Sequence, residues 1–220
     1  MNQTDPLDPN HPIDHAETLV YIVDDEAPLR EAISSLLRSA GMRIAAFGSV
    51  AEFLAEPRAD ITSCLLLDVR LQGVSGLDFQ ADLQRDGVAL PIIFMTGHGD
   101  IPMSVRAMKA GAIDFLAKPF GDQELFDAID AALRADRARR RRDSALQALA
   151  ARYASLTPRE REIMALAARG LMNKQIAGEV GTSEITVKIH RANAMRKMQA
   201  KTFADLVRMA EALGLETRRR

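Results

Sequence analysis

The stretch Ser63-Cys-Leu-Leu-Leu-Asp68 constrains this chain more than any other. A short apolar run that stops abruptly at a carboxylate reads as a strand buried on both faces, with Asp68 at its C-terminal tip. In an open parallel α/β sheet, such tips are where ligands bind. An Asp in that position also serves as a turn residue or a helix cap, so its role depends on what surrounds it.

The neighbouring runs repeat the pattern. Thr18-Leu-Val-Tyr-Ile-Val23 is apolar and β-branched and ends in Asp24-Asp25-Glu26. Leu29, Ile33, Leu36 and Leu37 then keep helical spacing, and Gly41 closes that helix. Met42 to Phe47 is a second strand, and Ser49 caps a short helix carrying Phe53 and Leu54. Gly73 and Gly76 punctuate the loop after Asp68, and Leu77 to Gln84 form a helix. Pro91 to Thr96 is the fourth strand and Gly97-His-Gly-Asp100 a loop. Ile101 to Ala110 is a helix closed by Gly111. Ile113 to Ala117 is the fifth strand, followed by Lys118-Pro119. Asp122 starts a helix that extends toward Arg142. Strands alternating with helices predict an α/β fold with a five-stranded, doubly wound parallel sheet.

Charge divides the chain. The formal net charge is −1. Residues 1–133 carry a balance of −12, and the remainder from Arg134 carries +11. Two domains with different partners are expected, the basic one suited to nucleic acid. Cys64 is the sole cysteine, which excludes an intrachain disulfide and fits a reducing, cytoplasmic compartment. Met1 to His15 is rich in Asp, Pro and Asn and reads as a disordered tail. No run is long enough to span a membrane.

In a parallel sheet the tips carrying Asp24-Asp25, Asp68 and Thr96 lie on one edge, with Lys118 after the fifth strand. Three carboxylates converging there repel one another unless a cation joins them. Carboxylate and water oxygens suit Mg²⁺. Asp68 then acts as a nucleophile toward phosphorus, giving an aspartyl phosphate. Lys118 neutralises phosphoryl oxygens and the Thr96 hydroxyl donates to another. Each residue alone has an ordinary alternative: Thr is common in strands, Lys-Pro ends one, and an acidic pair caps a helix. All of them at strand ends, in this order, argue for a site.

Residues 18 to about 135 resemble the receiver domain of two-component response regulators, on Asp24-Asp25, Asp68, Thr96 and Lys118-Pro119. The resemblance implies a flavodoxin-like fold with Asp68 as phosphoacceptor. It also implies that Asp24, Asp25, Asp68 and the Arg70 backbone carbonyl are Mg²⁺ ligands, and that Thr96 and Phe115 are a switch pair. Leu71-Gln72-Gly73 replaces the Met-Pro pair usual in that family, so a looser loop after Asp68 is expected. An Asp nucleophile also suggests phosphatases of the haloacid dehalogenase type. Those place a second Asp two residues on, where this chain has Arg70.

Arg134 to Arg142 contains six arginines and reads as a solvated helix face, with a helical linker to about residue 154. From Leu156 only helices are expected. Thr157, Pro158 and Glu160 supply an N-cap, a proline at the first helical position and a capping-box acid. Asn173 starts a short helix through Val180, Gly181 makes the turn, Ser183 caps a third helix to about Met198, and Thr202 caps a fourth. This is a helix-turn-helix pattern. In the third helix Val187, Arg191, Ala194 and Met198 share an inner face, with only the Arg191 stem inside. Lys188, Ile189, Ala192, Asn193 and Arg196 lie outside, where Lys and Arg read guanine and Asn reads adenine. The candidate DNA-contacting residues are Lys174, Thr186, Lys188, Arg191, Asn193, Arg196 and Lys197. An amphipathic helix with a solvated basic face is the plain alternative.

Residues 156–212 resemble a LuxR-type helix-turn-helix domain on Leu156-Thr-Pro-Arg-Glu-Arg-Glu, Gly170-Leu-Met-Asn-Lys-Gln-Ile-Ala and Thr186-Val-Lys-Ile-His. With the receiver, the chain is similar to NarL/FixJ-family regulators. Gly97-His-Gly-Asp-Ile-Pro-Met103 and His190-Arg-Ala-Asn193 bring it nearest the FixJ-type branch. The expected organisation is a tail over 1–16, a receiver over 17–135, a linker over 136–154 and a DNA-binding domain over 155–220. The resemblance implies a transcription regulator rather than an enzyme. Its implied partners are a sensor histidine kinase, double-stranded promoter DNA and a phosphorylation-dependent second copy, with RNA polymerase a further candidate. An Asp-nucleophile phosphohydrolase and an RNA-binding output are the rival readings.

Overall fold

Asp68 is carried on the central strand of a parallel sheet in the computed structural model, which describes residues 15–97 and 101–215. The strands are β1 (Thr18–Val23), β2 (Arg43–Phe47), β3 (Thr62–Asp68), β6 (Ile92–Thr96) and β7 (Asp114–Ala117), with β4 (Arg70–Leu71) and β5 (Val74–Ser75) forming a separate hairpin. The sheet order is β2-β1-β3-β6-β7, parallel throughout. This is the doubly wound, flavodoxin-like order. The expected tail and the loop residues 98–100 lie outside the described residues, apart from a 3₁₀ turn at His15–Glu17.

Period-two alternation sends neighbouring side chains to opposite faces. Val20, Ile22, Leu66, Ile93 and Met95 meet α1 (Ala27–Ser39) and α5 (Asp122–Ala154) through Ile33, Leu37, Leu125, Ile129 and Leu133. Leu19, Tyr21, Leu65, Leu67 and Phe94 face α2 (Val50–Ala55), α3 (Gly76–Arg85) and α4 (Ile101–Lys109) through Phe53, Phe79, Leu83 and Ala107. Every side chain of Leu65-Leu66-Leu67 is buried. Truncating Leu66 to Ala should cost roughly 2–5 kcal/mol by leaving a cavity.

Two details depart from the sequence reading. The loop after Asp68 is a closed hairpin, pairing Arg70 with Ser75 and Leu71 with Val74. Gly73 turns it at φ +81°, a conformation open to glycine. The helix from Asp122 continues through the expected helical linker as one element to Ala154. Within the arginine run, Asp136 is buried. It accepts the Ser63 N–H at 3.0 Å, and Arg139 and Arg140 bind its oxygens at 2.6 and 2.9 Å.

The chain forms two compact units, residues 1–140 and 141–220. In the second, α6 (Pro158–Ala168), α8 (Glu184–Met198) and α9 (Phe203–Ala212) pack with Leu149 and Tyr153 around Leu156, Met164, Ala194, Met198 and Leu206, and α7 (Asn173–Val180) packs through Ile176 and Ala177 on Ile163, Leu166 and Val187. Thr157 and Glu160 close a capping box on α6, and Thr202 and Asp205 close one on α9. Gly181 turns α7 into α8 at φ +66°. Among the described residues, no helix is long and apolar enough to cross a membrane.

Candidate phosphoacceptor site and helix-turn-helix surface

The sheet register assembles the acidic site. Val23 pairs with Leu67, so the next residues, Asp24 and Asp68, emerge side by side. One oxygen from each of Asp24, Asp25 and Asp68 lies within 4.8 Å of the others. Asp24 and Asp68 are buried and Asp25 half-buried. Backbone donors hold one oxygen of each buried acid: Glu26 N–H donates to Asp24 Oδ1 at 2.8 Å, and Arg70 N–H to Asp68 Oδ1 at 3.0 Å. The second oxygens share one cation. Lys118 Nζ lies 2.8 Å from Asp24 Oδ2 and 2.8 Å from Asp68 Oδ2.

Lys118 reaches this point because Thr96 pairs with Ala117 across β6 and β7, and Lys118 N–H donates to the Thr96 carbonyl at 2.7 Å. Burial pulls its ammonium toward neutrality, but the hydrogen bonds and charges of Asp24 and Asp68 outweigh that and raise its pKa. Three carboxylates facing one ammonium leave negative charge for a further cation to offset. An all-oxygen donor set fits a hard divalent ion, and among the described residues no His or Cys belongs to the cluster.

Thr96 is buried at the tip of β6 and faces the same side of the sheet as Phe94. Phe115 sits opposite Phe94 in register, half-buried, with ring centroids 6.4 Å apart. Thr96 and Phe115 therefore share one face, the face packed against α4.

In the second unit, Val187, Ala194 and Met198 of α8 are fully buried. The Arg191 guanidinium lies 4.3 Å from the Phe203 ring centroid and donates to Asn173 Oδ1 at 2.8 Å. Lys197 Nζ lies 2.6 Å from Glu160 Oε2, inside the α6 capping box. Burial pushes the Glu160 carboxyl up, but Lys197 and Thr157 hold it below the usual glutamate range. Thr186 bonds its hydroxyl to Ser183 at 2.9 Å. Lys174, Lys188 and Arg196 are exposed, and Asn193 accepts a long 3.4 Å bond from Arg196. Seven candidates thus separate into five toward solvent or the helix rim and two, Arg191 and Lys197, engaged within the unit.

Residues 20–130 match the response regulator receiver domain, and residues 154–210 match the bacterial regulatory proteins of the luxR family. Nodulation protein W of Bradyrhizobium diazoefficiens is 53% identical over 90% of this chain and 88% of its own length. The transcriptional regulatory protein FixJ of the same organism is 40% identical, over 89% of this chain and 96% of its own. The chain is a NarL/FixJ-family response regulator. A low-resolution structure of the response regulator StyR superposes with a TM-score of 0.77 at 46% identity, covering 89% of this chain and 98% of that one.

Two residues of this response regulator's site lay outside the sequence reading. Arg30 of α1 donates from Nη1 to the Asp24 carbonyl at 2.6 Å, bracing the acidic turn from behind. Its position one turn into an amphipathic helix gave no signal. The sequence marks Gly76 only as a loop residue. It is buried at the start of α3, against the backbone of Asp68 and Val69. A glycine at the first position of a helix is the signal that could have marked this close approach.

Proposed function

We propose that this regulator accepts a phosphoryl group on Asp68 from a sensor histidine kinase and, so modified, binds promoter DNA as a dimer in the cytoplasm. The observation that carries the reading is the single Lys118 ammonium shared by Asp24 and Asp68. A cation bridging an acceptor and a metal-type carboxylate stands where phosphoryl oxygens need charge.

Asp24, Asp25, Asp68 and the Arg70 carbonyl would hold Mg²⁺, which when bound supplies positive charge to the oxygens of the transferring group. An Asp68 carboxylate oxygen attacks phosphorus. The bond from phosphorus to the donor imidazole nitrogen breaks, and its electron pair stays on the imidazole. Lys118 turns from the carboxylates to the phosphoryl oxygens, and the Thr96 hydroxyl donates to another. Phe115 then follows Thr96 inward on their shared face, changing the surface of α4, β7 and α5. A second copy docks on that surface, and α8 of each copy enters a major groove through Lys188, Asn193 and Arg196, with Lys174 and Thr186 at the flank. Arg191 and Lys197 position α8 from within.

The test is labelling. Asp68→Asn should abolish Mg²⁺-dependent labelling by acetyl phosphate, because an amide is a poor nucleophile and lacks the carboxylate charge. Full labelling of that variant would place the acceptor elsewhere.

A further inference from the structure

The outer stripe of α8 is not uniformly basic. Ile185, Lys188, Ile189, Ala192 and Arg196 follow one another at helical spacing and are all exposed. Ile185 is 73% exposed and Ile189 55%. Single exposed apolar residues are ordinary. Two isoleucines one turn apart, interleaved with Lys188 and Arg196, form a patch that no described residue of the second unit covers. The core does not need them, because Val187, Ala194 and Met198 already fill the inner face.

The two neighbouring cations settle what chemistry meets this stripe. Lys188 and Arg196 suit the phosphates and the guanine edge of a duplex. An isoleucine satisfies no polar base edge. The major-groove floor carries one apolar group, the C5-methyl of thymine. We propose that Ile185 and Ile189 read thymine methyl groups, so that each half-site carries two thymines set apart by the pitch of α8. This rests on the DNA-binding reading above and adds a base identity to it. Four residues of helix rise about 6 Å, and successive base pairs about 3.4 Å. The two thymines therefore lie roughly two base steps apart for a helix that follows the groove. Lys188, between the isoleucines, faces the intervening base pair.

The test uses the full-length protein with beryllofluoride and Mg²⁺ at fixed salt. Selection from a random duplex library yields the preferred sites. Those are resynthesised with deoxyuridine at one thymine at a time, which removes the methyl group and nothing else. Two positions per half-site should weaken by roughly 4-fold each, the worth of one buried methyl group. Ile185→Ala should erase the penalty at one of these positions and Ile189→Ala at the other. Both variants retain a helix, since Ala has the higher helix propensity, and circular dichroism checks this. Equal binding of thymine and uracil sites at every position overturns the proposal. So does an Ile→Ala loss that is the same on both, which would assign the isoleucines to protein contact with a second copy. Enrichment of no sequence at all would overturn the DNA-reading assignment itself, an outcome visible before any base is replaced.

Discussion

A side-chain carbon placed on Gly76 would fall 2.5 Å from the backbone oxygen of Asp68 and 3.1 Å from the Val69 Cα. Gly76 N–H also donates to the Val69 carbonyl at 2.9 Å. The first turn of α3 is thus set hard against the peptide that carries Asp68. Backbone atoms on both sides leave no flexible side chain to give way. Gly76→Ala should lower the unfolding free energy by roughly 1–3 kcal/mol through overpacking. It should also slow labelling of Asp68 by acetyl phosphate, since the peptide bearing the nucleophile must shift. Wild-type labelling in a destabilised variant would show that α3, not Asp68, moves.

Lys118→Met tests the shared cation. The ammonium contacts both Asp24 and Asp68 at 2.8 Å before any phosphoryl group arrives. Its removal leaves two buried carboxylates facing each other and deprives the phosphoryl oxygens of a donor. Phosphorylation should slow by roughly 10²-fold, as when one preorganised oxyanion donor is removed. Single-turnover transfer from a cognate kinase at saturating Mg²⁺ measures it. An unchanged rate would confine Lys118 to a structural role.

The legible parts of this molecule were those written in local pattern. Thr18–Val23 and Ser63–Asp68 announced buried strands because an unbroken apolar run needs cover on both faces. Asp24, Asp68 and Lys118 were found because parallel topology gathers strand ends on one edge. The Arg70–Ser75 hairpin escaped, since two-residue strands are too short to show a period. Asp136 escaped because its worth is long-range: it satisfies Ser63 N–H from 73 residues away, inside a run that reads as solvated charge. Lys197 reads like any other cation on a basic helix, and only the fold buries Glu160 beside it.

That pair carries a pH signature. Glu160 is held below its ordinary pKa in the folded state. Its contribution is complete above the unfolded glutamate value of about 4.3 and is lost as pH falls through the lower folded value. Lys197→Met should cost roughly 1–3 kcal/mol near neutrality, as for a hydrogen bond to a charged group. The difference from wild type should shrink below about pH 4.3. Urea titrations of the full chain, followed by hydrogen exchange of α6 amides, give both numbers. The same variant should keep the wild-type dependence of DNA affinity on salt. A slope reduced by about one would make Lys197 a phosphate contact.

The switch is tested through assembly. A single helix-turn-helix reads one half-site, so specific binding normally needs two copies related by a two-fold axis. Asp68, the proposed acceptor, ends β3, and Thr96 stands at the tip of the adjacent β6, on the face it shares with Phe115. On α4, Val105 and Met108 are exposed apolar residues, on the same side of the sheet as those two. A ring that moves inward on that side of the sheet reshapes its outer surface, and a bias of a few kcal/mol suffices to shift the population. Beryllofluoride with Mg²⁺, a phosphoryl mimic, should raise the dimer fraction at micromolar protein. Thr96→Ala should blunt the rise while leaving Asp68 labelling largely intact, because it removes the hydroxyl that follows the phosphoryl group and not the nucleophile. Phe115→Ala should blunt it as well, by removing the ring that fills the vacated space. Analytical ultracentrifugation decides: equal monomer–dimer constants with and without the mimic would exclude dimerisation as the link between Asp68 and DNA.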